Sequence, residues 1–87
     1  MITDEKIAEL DEVIAQEKRI VAREMHSETF ADGMLEGIEA NILADAAIAT
    51  ALEEMIRDQG EESALLLVDT LHDRIIAGEF SAERTLQ

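Results

Sequence analysis

The sequence predicts an all-α protein of three helices with a long central helix, completed to a helical bundle by homodimerisation. Proline is absent, apolar residues recur at intervals of three and four, and the strict alternation typical of strands is missing. The chain has 87 residues and only two aromatic residues, Phe30 and Phe80, so its own core is expected to be small. Because no cysteine is present to form disulfides, a second subunit is the expected source of further burial.

The first helix is predicted over about residues 3–26. Thr3 is suited to cap its N-terminus, and the two acidic residues that follow are favourable at the positive end of a helix. The apolar pattern runs to the neighbourhood of His26, where an imidazolium would favour the negative end of the helix. Ser27 and Thr29 are then candidate caps for the next helix.

The second and longest helix is predicted over about residues 30–59. Gly60 is expected to end it, because glycine readily adopts the left-handed conformation that stops a helix. Gly33 and Gly37 form a Gly-x-x-x-Gly pattern near its start. In a charged sequence this pattern favours close helix crossing or a kink.

The third helix is predicted over about residues 62–77, with Gly78 as a second stop of the same kind. Together the three helices form one predicted domain, residues 1–78. Residues 79–87 are expected to be a short polar tail that is frayed.

Several polar residues fall within the apolar faces when the helices are drawn as wheels. They are Glu17 and Glu24 on the first helix, Asn41 and Asp45 on the second, and Asp69 and His72 on the third. Burying an unpaired carboxylate costs several kcal/mol, so these groups are expected to be paired, bound to a cation or placed at a hydrated interface between helices.

Two interpretations of these residues are open. In the first, Glu17, Asn41 and Asp45 fix the register of an interface between helices, as a single polar core residue does in coiled coils. In the second, Glu24, Asp45, Asp69 and His72 bind a divalent or iron-type metal, as carboxylate and histidine pairs do in ferritin-like bundles. A kink or a shifted helix boundary would rotate some of these residues off the face.

Two leucines indicate where a second subunit could pack. Leu43 and Leu67 lie away from the main apolar faces, and the second helix is nearly uncharged from Ala40 to Leu52. The surface there is expected to be covered on more than one side, with an antiparallel homodimer as the first choice.

The net charge of −14 narrows the choice of partners. No basic patch is recognised, so direct binding to nucleic acid or to an anionic membrane is disfavoured, whereas a basic protein or a cation is favoured. The N-terminal residues lack the regions of a secretory signal, and the longest uncharged stretch, Ala46 to Leu52, is too short to cross a membrane. A cytoplasmic protein is therefore expected.

No triad, phosphate loop or acid and base pair in a definable cleft is recognised, so the sequence favours a non-enzymatic protein without a cofactor. The leading hypothesis is a regulatory or adaptor protein that acts through protein–protein interaction and could block the nucleic-acid site of a basic partner by charge mimicry. The alternatives are the metal-binding bundle described above and a structural subunit of a larger assembly.

Overall fold

The computed structural model describes residues 3–82, which form three helices: α1 (Asp4–Leu35), α2 (Ala40–Gln59) and α3 (Glu61–Ile76). No strand occurs within residues 3–82, so the all-α class is confirmed. The longest helix is α1, with 32 residues, while the central helix α2 has 20. The predicted long central helix over residues 30–59 is therefore wrong, since residues 30–35 belong to α1 and α2 begins only at Ala40. In the predicted tail, residues 83–87 lie outside the described residues.

The N-terminus of α1 is capped as the sequence predicts. The backbone N–H of Lys6 donates to the hydroxyl oxygen of Thr3 over 3.2 Å, and Asp4 and Glu5 occupy the first turn. This satisfies one of the N–H groups that have no partner within a helix and places negative charge at its positive end.

The predicted end of the first helix near His26 is wrong, because α1 continues for nine further residues. The hydroxyl group of Thr29, expected to cap a new helix, donates instead to the carbonyl oxygen of Met25 over 3.0 Å. A threonine inside a helix can bond the carbonyl four residues earlier, so its presence does not require an interruption. His26 therefore lies inside α1 and does not cap its C-terminus.

The actual end of α1 is set by Gly37, which has a φ of +92°. The N–H of Ile38 donates to the Gly33 carbonyl (3.1 Å) and that of Gly37 to the Met34 carbonyl (3.0 Å). These two bonds define a Schellman motif, in which a glycine in the left-handed region closes the helix.

Gly33 serves a different purpose, because it permits close packing. It is buried, and a Cβ atom at this position would lie 2.6 Å from Cδ2 of Leu43, which is too close for a stable contact. The Gly-x-x-x-Gly pattern thus consists of one close-packing glycine and one helix stop.

A single residue, Gly60, separates α2 from α3. Its φ of +91° and ψ of +168° lie in a region that is accessible almost only to glycine, and its N–H donates to the Ile56 carbonyl over 2.9 Å. Gly78, with a φ of +79°, follows the end of α3. The predicted stops at Gly60 and Gly78 are both confirmed.

The chain divides into two compact units, Met1–Ala44 and Asp45–Gln87. In the first unit the least exposed described residues are Ala15, Phe30, Gly33, Leu43 and Ala44. In the second unit Ala64 is buried, and the least exposed large apolar side chains are Leu52, Met55, Leu67 and Leu71. Leu43 and Leu67 are thus already half-buried within one chain, and further cover by a second subunit stays a prediction. The single domain over residues 1–78 stays a prediction.

Candidate interaction surface

A row of large apolar side chains on α1 is exposed. These side chains recur at helical spacing, and their exposed fractions lie between 47% and 62%. We call this row the α1 stripe; its members are Ile7, Leu10, Val13, Ile14, Ile20, Val21 and Met25. Among the described residues the only buried hydrophobic side chain is that of Ala64, on α3. An apolar stripe of this extent on a helix is typical of a surface that packs against another element.

Glu17 and Glu24 lie on the same face of α1 as this stripe, within its apolar arc. Glu17 lines a shallow depression together with Ile14 and Val21, and Glu24 lines another that includes Ile20. Both carboxylates are exposed in the single chain. A place inside an interface between subunits stays a prediction for Glu17 and, on α2, for Asn41 and Asp45, which are also exposed.

On α3, the side that is covered differs from the apolar face that the helical wheel predicts. Leu65, Val68 and Ile76, which flank His72 on the predicted face, are exposed, whereas Leu67 and Leu71 are half-buried. The helix has apolar residues on both sides, so the wheel alone does not decide which side is covered.

His72 contacts its sequence neighbour and not the predicted metal-binding partner. Its Nδ1 atom lies 3.6 Å from a carboxylate oxygen of Asp73, and the two side chains are 75% and 88% exposed. Such an exposed contact contributes little to stability.

The four predicted metal ligands are distributed over the chain. Glu24 lies on α1 in the first unit, and Asp45, Asp69 and His72 belong to the second unit. Within residues 3–82 no group of three or more His, Cys, Asp or Glu residues is placed to hold a metal ion. A metal site built from these four residues stays a prediction.

One charged cluster was missed by sequence reasoning. At the end of α3 the guanidinium group of Arg74 donates to both carboxylate oxygens of Glu79, with distances between 2.6 and 3.0 Å. Its central carbon also lies 4.8 Å from the centre of the Phe80 ring. The hydrogen bonds to Glu79 raise the pKa of Arg74 above its ordinary value.

The sequence does contain a signal for this cluster. The N–H of Glu79 donates to the Arg74 carbonyl over 3.1 Å, as in the motif that ends α1, and this turn brings residue 79 back beside residue 74. An arginine in the last turn, followed by Gly and Glu, would have indicated the pair. Because this pair neutralises the arginine and holds the start of the predicted tail against α3, we assign it a structural role.

The remaining charges are arranged unevenly. Every described acidic residue except Glu79 is exposed. On α1, by contrast, three basic residues, Lys18, Arg19 and Arg23, stand close together without an intervening acid. The net charge of α1 as a whole is negative and therefore hides this basic stretch.

Comparisons of the chain with protein-family models, with curated proteins and with solved structures found no match. Among the described residues, none of the helices combines the length and apolar character that crossing a membrane requires.

Proposed function

We propose that this chain is a non-enzymatic interaction protein that works as a homodimer and offers an acidic helical surface to a basic protein partner. The observation that supports this proposal is the combination of a net charge of −14 with the exposure of nearly all described carboxylates. Exposed charges of one sign attract an oppositely charged partner and speed its association.

The charge distribution also supports a protein partner over a polyanion. Around the junction of α2 and α3 stand Glu53, Asp58, Glu61 and Glu62, all exposed, and the nearby Arg57 is paired with Glu54. A phosphate backbone would be repelled there, whereas lysine and arginine side chains of a protein would find many acceptors.

The first test is capture of binding proteins on the immobilised chain, followed by affinity measurements with the purified partner. We expect a basic partner whose affinity falls steeply between about 50 mM and about 500 mM NaCl, because screening shortens the reach of exposed charges. Affinity that is insensitive to salt would contradict the proposal.

Matched variants then test the acidic surface itself. One variant neutralises the junction (E53Q, D58N, E61Q), a second neutralises the start of α1 (E5Q, E9Q, E12Q), and Q16A changes an exposed uncharged residue as the control. At least one of the two charge variants is expected to weaken binding about tenfold and to reduce the salt dependence, while Q16A leaves both unchanged. If both charge variants bind like the original chain, an acidic surface is not what the partner recognises.

A second candidate function is a structural subunit of a larger assembly, and the exposed α1 stripe favours it. Native mass spectrometry of protein purified without chelators distinguishes the candidates. Discrete higher oligomers or hetero-assemblies would support a structural subunit, a metal-free dimer would support the interaction protein, and a dimer with chelator-sensitive extra mass would support the metal-binding alternative.

A further inference from the structure

The α1 stripe is exposed along its whole length. Its seven side chains are each about half exposed, and it extends over 19 residues from Ile7 to Met25, or about 27 Å along the helix. Three of its members, Ile7, Ile14 and Val21, are spaced seven residues apart, so Ile14 lies at the midpoint between the other two.

Charges on α1 are segregated around this same midpoint. Residues 4–12 carry five acidic side chains and one basic one, and Lys18, Arg19 and Arg23 follow on the other side of Ile14. Asp11 and Lys18 are seven residues apart, so they flank the stripe on the same side, about two turns from each other. The midpoint between these two residues falls within one residue of Ile14.

From this arrangement we propose that the α1 helix of a second copy covers the stripe and runs antiparallel, with Asp11 of each chain beside Lys18 of the partner subunit. The inference rests on the homodimer proposed above and names its surface and orientation. A two-fold axis near Ile14 brings the acidic start of each α1 alongside the basic stretch of the other, and it forms the Asp11–Lys18 contact twice.

A parallel pairing is less favourable. It would set Glu17 against Glu17 of the partner subunit and Glu24 against Glu24 of the partner subunit, and like charges at one level repel. In the antiparallel register the two Glu17 side chains are offset by five residues, or about 8 Å along the axis.

The charges elsewhere in the chain also point to α1 as the occupant. Arg57 is paired with Glu54 and Arg74 with Glu79, so among the described residues the basic stretch that can meet the acidic start of α1 lies on α1 itself. If a purely basic partner covered the α1 stripe instead, Lys18, Arg19 and Arg23 would face like charges.

The test measures the dimer dissociation constant of the full chain by sedimentation equilibrium. We expect I14E, which places two carboxylates near the two-fold axis, to raise the dissociation constant on the order of 100-fold. Glutamate is a better helix former than isoleucine, so α1 should keep its helicity, which circular dichroism checks. The matched control is L35E, the same kind of change at an 87% exposed leucine beyond the stripe, and it should leave the dimer intact.

Charge exchange tests the orientation. The single variants D11K and K18D each create two like-charge contacts and should weaken the dimer about three- to tenfold. The double variant D11K/K18D restores opposite charges across the axis and should return the dissociation constant to that of the original chain.

Each outcome has a distinct meaning. If I14E dimerises as well as the original chain, the stripe is not the interface, although the homodimer itself stands. If I14E dissociates but the double variant is as weak as the single ones, the antiparallel register is wrong. A chain that remains monomeric at all accessible concentrations overturns both the homodimer and this inference.

Discussion

Individual glycines define the path of this chain, and each does so for a different steric reason. Gly33 lacks a Cβ atom so that Leu43 can approach, while Gly60 adopts a combination of φ and ψ that a side chain would obstruct. Apart from its two chain neighbours, no described residue has an atom within 4 Å of a Cβ built at Gly60, so the constraint there comes from the backbone and not from crowding.

We therefore predict that G60A destabilises the protein by about 1–3 kcal/mol, because alanine must occupy a backbone region that is unfavourable for any residue with a Cβ. Urea unfolding at a fixed protein concentration measures this change. The neighbouring variant E61A, at an exposed helical position, serves as the control and should alter stability by less than about 0.5 kcal/mol. Equal stability of G60A and the original chain would show that the turn adopts another conformation.

At the scale of the elements, helix starts and stops were predictable where a single local signal decided them. Thr3, Gly60 and Gly78 act as the sequence indicates, because capping and left-handed turns depend on a few neighbouring residues. The boundary between α1 and α2 was missed because Gly33 and Gly37 suit several roles, and the choice between them depends on packing against Leu43, ten residues after Gly33.

The contact between α1 and α2 can be tested by a double-mutant cycle. In the original chain G33A gains helix propensity, about 1 kcal/mol, but forces Leu43 to move. In the L43A background the same substitution should stabilise the protein by most of that amount, since the obstructing side chain is gone. We expect a coupling of about 0.5–3 kcal/mol from urea unfolding of the four proteins.

Additive effects would contradict this contact. Q16A, an exposed change elsewhere on α1, provides the control. It should change the free energy of unfolding by the same amount in the original chain and in the L43A variant.

For the whole molecule, composition and periodicity were sufficient for the fold class but not for the side of each helix that is covered. The third helix illustrates the reason: Leu65 and Val68 form one apolar row and Leu67 and Leu71 another, and only packing selects the second row. The Arg74–Glu79 pair was not predicted either, because it depends on the turn after α3, which places Glu79 beside Arg74.

The net charge leads to a prediction about the whole molecule. Repulsion among 21 acidic and only 7 basic residues opposes both folding and association, and salt screens it. Raising NaCl from about 10 mM to about 150 mM should increase the melting temperature by several degrees, as measured by circular dichroism.

The variant with E5Q, E9Q and E12Q carries less negative charge and should show a smaller increase under the same conditions. A melting temperature that falls with salt would mean that attractive ion pairs dominate instead.

The turn after α1 favours a residue of opposite chirality at position 37. A positive φ is strained for an L-residue and relaxed for its mirror image, and Gly37 is exposed at a φ of +92°. Position 37 is thus one where a D-amino acid suits the native backbone better than any natural residue except glycine. A chemically synthesised chain with D-alanine there would keep the turn and lose the extra freedom that glycine gives the unfolded state.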